Sequence, residues 1–327
     1  MDGDGVAGTL KRVMHDTAMG AGRQDGQDRI ERRMSVPLGG ALALLGALTA
    51  GCATASLDEA GALSSYAGLG RSDGMMTQSR IAVDKPAVRG AKTVRLIPTS
   101  FVGPAAGTPL TPEQRQLIAN AIDRSLCVGL SERLTVLRSG PADLTVQAFV
   151  SQIVPTNEYA AAASKAASIA KSVLLPDIPG PILRLPIGLG SLSVEAEARG
   201  PAGNQRAAMI WGRGANALFG TTRVSAAGDA YEFASAFGDD FSTLVVTGES
   251  PFGKMPGLPS GQRLQTMAGG APKQAVCEAF GRAPGVTGVI GGIVGAPPEW
   301  TDKGAVRPET AAEVARSPAH GVGPALQ

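Results

Sequence analysis

Histidine is nearly missing from this chain. It has two, His15 and His320, one near each end of 327 residues. A folded centre therefore holds no imidazole, which removes Ser–His–Asp and Cys–His catalysis, histidine-ligated zinc and histidine acid–base chemistry from it. Aromatic residues are sparse at 4%, so the core has to be built mainly from Leu, Val, Ile and Ala. Net charge is +2, without long basic runs. Such a chain has no electrostatic footprint for nucleic acid, which is excluded as a partner. A Gly-x-Ser-x-Gly elbow and a phosphate loop are also missing, and no Gly-x-Gly-x-x-Gly follows a strand and opens a helix as a dinucleotide fingerprint does. "GRGANALFG" has glycines but neither a lysine nor a strand–loop–helix setting. No catalytic residue, metal or cofactor is assigned, and a non-enzymatic role is expected. Glycine and proline are abundant, at 44 and 23 residues, so turns are many.

The most specific signal lies near the start. Arg29, Arg32 and Arg33 precede an apolar run, Leu38 to Leu48, too short for the roughly 20 residues of a membrane-spanning helix. Basic n-region, short h-region and small residues are the order of a secretory signal. Leu48-Thr49-Ala50-Gly51-Cys52 resembles the lipobox of bacterial lipoproteins. The resemblance implies cleavage between Gly51 and Cys52, diacylglyceryl on the Cys52 sulfur and an acyl chain such as palmitate on its new amine. Two or three chains make a stable anchor, at about 0.8 kcal/mol per buried methylene. Ala53, rather than Asp, after the cysteine implies export to the periplasmic face of the outer membrane. The long, mixed-charge stretch 1–28 leaves Met14, Met19 or Met34 open as the start. A twin-arginine reading of Arg32-Arg33 is disfavoured by the residues around it.

After the signal (1–51), residues 52–91 read as a tether, with a short helix from Leu57 to Leu69 on the spacing of Leu57, Leu63, Tyr66 and Leu69. The body is expected over 92–250. "KTVRLIPTSF" (92–101) reads as a strand, with Val94, Leu96 and Pro98 on one side. Thr111, Pro112 and Gln114 form a capping-box start for a helix to about Arg133, with Leu117, Ile118, Ala121, Ile122, Leu126 and Leu130 at helical spacing. Strands follow at 134–139 and 142–155, the second with Leu144, Val146, Ala148 and Val150 on one face. A helix is expected at 158–175, strands at 191–200 and 204–214, and a helix capped by Asp229 with Phe233, Phe237, Phe241 and Leu244 inward. The order β-α-β-β-α-β-β-α predicts an α+β fold, a mainly antiparallel sheet with two or three helices on one face, between a disordered leader and tail.

Residues 251–327 read as a Gly/Pro-rich extension with a short helix near Gln274–Phe280 and another at Glu309–Ala315. Within it "GVTGVIGGIVGAPPEW" spaces small residues every three or four. It reads as an apolar loop packed on the domain, with a membrane-apposed or helix-pairing segment as the alternative. Glu195 and Glu197 share one face of a strand. They are read as a solvated sheet face, with a paired-carboxylate or hard-metal site as the alternative. Asp239 and Asp240 are expected to face solvent. With Cys52 lipidated, Cys127 and Cys277 remain. An oxidising envelope favours a bridge, while the apolar face around Cys127 also suits a buried free thiol.

From Ser56 to Gly248 the chain resembles bacterial lipoproteins of the family classed as domain of unknown function 3313. The resemblance rests on "LDEAGALSSYAGL" after the cysteine, "TVRLIPTSF", "LTPEQRQLI", "LTVL" with "ADLTVQAFVSQI", the acidic strand "VEAEARG", and "DAYEFASAFGDDFSTLV". It implies secretion, lipid anchoring and a compact α+β domain, and supplies no activity. A binding or structural role at the outer membrane toward another envelope protein is expected. The alternatives are a small-ligand or lipid carrier with a groove between sheet and helices, and a carboxylate-based hydrolase.

Overall fold

The strand β6 (Ser191–Arg199) buries both of its faces. Leu192, Val194, Ala196 and Ala198 point one way and Ser191, Ser193, Glu195 and Glu197 the other, the alternation that a pleated strand imposes. The computed structural model describes residues 53, 55–174, 184–217, 222–253 and 260–304. The signal segment, Gly51, Cys52 and the helix expected at Glu309–Ala315 lie outside them. The other strands are β1 (Gly70–Arg71), β2 (Gln78–Val83), β3 (Thr93–Phe101), β4 (Thr135–Leu137), β5 (Leu144–Val154) and β7 (Gln205–Gly214). One seven-stranded sheet runs in the order β1-β2-β7-β6-β5-β3-β4. β3 is parallel to β4 and β5, and the remaining pairs are antiparallel. The fold class is α+β with a mainly antiparallel sheet, as expected.

The helices are α1 (Lys85–Gly90), α2 (Pro112–Ser131), α3 (Glu158–Leu174), α4 (Gly228–Thr247), α5 (Gly261–Met267), α6 (Gly285–Val294) and α7 (Pro298–Thr301), with 3-10 turns at Gly103–Gly107 and Ala275–Phe280. α2 and α4 cover one sheet face. The capping box of α2 is formed, Thr111 Oγ1 accepting from Gln114 N and Gln114 Oε1 from Thr111 N. Its apolar stripe is buried against β5's Leu144, Val146, Ala148 and Val150 in a single core. Trp211 of β7 meets Phe237 edge-on at 5.7 Å, and Phe237 stacks on Phe241 at 6.1 Å. The two helices approach closely through glycine: a Cβ on Gly238 would lie 2.5 Å from the Ser125 Cβ.

Several expectations change. α3 does not join that layer: only Ala161 and Ser164 are buried along it, because its alanine-rich sequence has no large apolar stripe to bury. Pro98 is exposed and falls where β3 and β5 slip register between Ile97 and Ser100, a place where a missing N–H breaks no ladder bond. Asp229 is not the cap of α4. Ala227 holds that position, and Asp229 lies in the first turn, paired with Arg184. The stretch expected as a tether carries β1, β2 and α1, and β2 pairs along its whole length with β7. The apolar run after 284 is helical rather than a loop.

The C-terminal part is fastened by cations. Arg124 pairs with buried Asp302 at 2.6 Å, and Tyr231 donates to the same carboxylate at 2.7 Å. Burial, with the Asp302 charge beside it, pushes the Tyr231 phenol far above its ordinary range, so it stays a donor. Cys127 of α2 and Cys277 of the second 3-10 turn are disulfide-bonded across 150 residues. Closing so long a loop restricts the unfolded chain, an effect worth about 2–5 kcal/mol. Replacing both cysteines by Ala is expected to lower unfolding free energy by about that amount, read from the denaturant midpoint. An unchanged midpoint would show that the bond does not constrain the chain.

Candidate functional site

The sheet face opposite α2 and α4 carries Glu195 and Glu197, both fully buried. A buried carboxylate is costly unless donors surround it. Here the donors come from residues 53–69, which run across the sheet as a strap. Glu195 accepts from Ala60 N at 2.7 Å, Ala62 N at 3.2 Å and the Tyr66 hydroxyl at 2.7 Å. Glu197 accepts from Ser64 N at 2.8 Å, Ser64 Oγ at 2.6 Å and Gln205 Nε2 at 3.0 Å, and pairs with Arg199 at 3.2 Å. Burial and the bond to Glu195 push the Tyr66 phenol up, which keeps it a donor. Beside these bonds Leu63, Ala208 and Ile210 form a small second core, flanked by Leu57, Tyr66 and Leu69.

This arrangement corrects two expectations. The pair is not a solvated face, because the strap lies over it. The strap is not the helix expected from Leu57 to Leu69. Its amides donate to side chains on β6 instead of to carbonyls four residues back, and Gly61 and Gly68 take left-handed φ of 77° and 78°, which helical residues do not adopt. The helical spacing of its apolar residues reports contact with Ala208 and Ile210. As chemistry, the pair has little left to offer, since its acceptors are engaged by the chain itself. Among the described residues no group of three or more His, Cys, Asp or Glu is arranged to hold a metal ion.

A second acidic pair sits at α4. Asp240 accepts from the indole N–H of buried Trp211 at 2.8 Å, and Asp239 from Ser125 Oγ at 2.8 Å while pairing with Arg263. Both are partly covered rather than free in solvent. Desolvation, reinforced by the neighbouring Asp239 charge, pushes Asp240 up to about 6. A cavity of about 190 Å³ opens beside Asp239, Arg124 and Arg263. Another of about 370 Å³ lies beside Ala53, Met75 and Gly214. Neither includes Glu195 or Glu197.

The family described as protein of unknown function (DUF3313) matches residues 58–241, so the chain belongs to that family. The match starts inside the strap and takes in Glu195, Glu197 and Tyr66. Among curated proteins none matches. Among solved structures it is similar to a PelC dodecamer from Paraburkholderia phytofirmans, at 12% identity over 53% of this chain and 98% of that one, with a TM-score of 0.31. It is also similar to a DUF4136 family protein from Bacteroides thetaiotaomicron, at 9% identity over 54% of this chain and 100% of that one, with a TM-score of 0.26.

Two outcomes follow from this geometry. Glu195→Gln turns an amide toward backbone N–H donors, and is expected to cost about 2–3 kcal/mol and to speed hydrogen exchange at Ala60 and Ala62. Unchanged exchange there would show that the strap is held otherwise. For Asp240 the sign is set by its raised pKa: the folded state binds the extra proton between about pH 4 and 6, so stability falls as pH rises through that window. Asp240→Asn keeps an acceptor for Trp211, and the variant is expected to lose less stability than the parent between pH 4 and 7, by about 2 kcal/mol. Chemical unfolding across that range measures the difference.

Proposed function

We propose that this chain is a lipid-anchored cell-envelope protein with a binding or structural role rather than a catalytic one. Cys52 carries the acyl chains and the periplasmic face of the outer membrane is the site. The reading takes its strongest support from how the residue after Cys52 is held. Ala53, the residue after Cys52, already donates its N–H to Ala215 O at 2.9 Å, and Ser193 Oγ donates to Ser56 O at 2.7 Å. The strap passes so close to Gly214 that a side chain there would collide with the Ala53 carbonyl. A lipid on Cys52 therefore holds the body directly at the bilayer surface, with no free tether between them. No described helix is long and apolar enough to cross a membrane.

A binding or structural role is favoured over the alternatives by what the two sheet faces do. A carrier groove between sheet and helices would need space that Trp211, Phe237 and Phe241, all fully buried, occupy. A hydrolase built on Glu195 and Glu197 would need carboxylates open to substrate, and both are committed to the strap. The partner is envisaged as another envelope protein. Cys52→Ser is expected to move the protein from the membrane to the soluble envelope fraction and to remove the acyl mass from its N-terminal peptide. Membrane retention equal to wild type would contradict the anchor.

A further inference from the structure

Helix α6 is built inside out. Its sequence, GVTGVIGGIV, carries no charge, and a helix in an aqueous protein normally turns its aliphatic side chains inward. Here the buried positions are Gly285, Gly288, Gly291 and Gly292, while Val289, Ile290 and Ile293 are each more than half exposed. The inward setting is locked by cations on its carbonyls. Arg223 donates to Gly288 O at 2.8 Å, and Lys165 of α3 donates to Ile293 O at 3.0 Å, the charge favoured at a helix C-terminus. At Gly291 a side chain would collide with Thr301 of α7. The glycines are what let α6 seat so deeply, and that seating leaves the aliphatics outside.

Exposed apolar residues also stand on α3 and α7, the elements that bear on α6. Ile169 and Val173, one turn apart on α3, are exposed, and Trp300 on α7 is 72% exposed. No acidic residue follows Glu158 on α3. Exposed apolar area of this kind marks a protein- or membrane-interaction surface. Its position identifies which. Ala53 bonds to Ala215, and Ala215 N to Gly190 O, at the end of the sheet where β7 stops and β6 starts. Gly190 N bonds to Asp229 in the first turn of α4. Just before that turn, Val224 N bonds to Gly295 O at the C-terminus of α6. Ala53 and the exposed apolar residues of α6 thus lie toward one end of the described body.

We propose that α6, the outer part of α3 and Trp300 form a platform that rests in the interface of the bilayer holding the anchor. The proposal rests on the lipid-anchor reading of Cys52 for its orientation. Aliphatic side chains and a tryptophan beside the lysines of α3, with the neighbouring Glu299 carboxylate bonded to Gln114 and Ser225, suit the boundary between headgroups and acyl chains.

Trp300 is the built-in probe, since the other tryptophan, Trp211, is fully buried. Protein purified from membranes is reconstituted into vesicles of phosphatidylethanolamine and phosphatidylglycerol with bromine on the acyl chains. Trp300 emission is expected to be quenched, a Trp300→Phe variant assigning the signal. The Val289→Ser/Ile293→Ser double variant is expected to lose the quenching while staying anchored. Ile169→Ser on α3 serves as a second variant with the same expected loss. Near-UV circular dichroism confirms that each variant is folded. Absent quenching in the wild type, or equal quenching in the wild type and the folded variants, would overturn the platform. So would a dimer in light scattering that the double variant loses without any lipid quenching. The anchor is judged separately by the mass of the Cys52 peptide. If that peptide is unmodified, the anchor reading fails, and the platform stands only if the same protein, added to preformed vesicles, is quenched and the variants are not.

Discussion

Two carboxylates buried side by side on a central strand have to be given donors, and in this protein the chain gives its own. Glu195 and Glu197 draw Ala60, Ala62, Ser64 and Tyr66 onto the sheet. Without those donors the pair would be buried and unsatisfied, a burden of several kcal/mol. With them, the outer face of the sheet closes and Leu63 caps Ile210 and Ala208. Ala53 is also held to the sheet, through Ala215. The same bonds that make the face stable leave those carboxylates little capacity for catalysis. The central strand β6 is thereby covered on both sides, by α2 and α4 on one and by the strap on the other.

Local chemistry was legible where it is local. The capping box at Thr111, the stripe of α2 and the alternation of β5 each depend on neighbours a few residues away, and each is where the sequence places it. The strap depends on partners some 130 residues distant, and spacing alone reads its apolar residues as a helix. Two signals were present. Gly61 and Gly68 interrupt the helical reading, and two glutamates alternating with Val194, Ala196 and Ala198 in one strand ask for a lid as readily as for solvent. β2 escaped notice although Ile81 and Val83 sit two apart and pack against the core. Asp229 kept its place at the start of α4, but its role passed from capping to Arg184, a residue 45 positions earlier.

The C-terminal part shows the same economy with the opposite charge. Arg124, Arg223 and Lys165 hold a glycine-rich segment by its carbonyls and by Asp302, and the disulfide ties the preceding turn to α2. The segment lies beyond the matched family region, yet it is seated on elements within it. Its aliphatic side chains are exposed at the end of the described body where Ala53 lies. In the proposed reading, anchor, strap and platform are parts of one arrangement that sets the body against a membrane surface.

That arrangement depends on the strap being part of the fold rather than a flexible leash. The most direct measurement compares denaturant unfolding of the chain with and without residues 53–69. If the strap is integral, its removal leaves Glu195 and Glu197 without their strap donors and uncovers Ile210, and the midpoint falls sharply or cooperative unfolding is lost. An unchanged midpoint after the deletion would contradict the account.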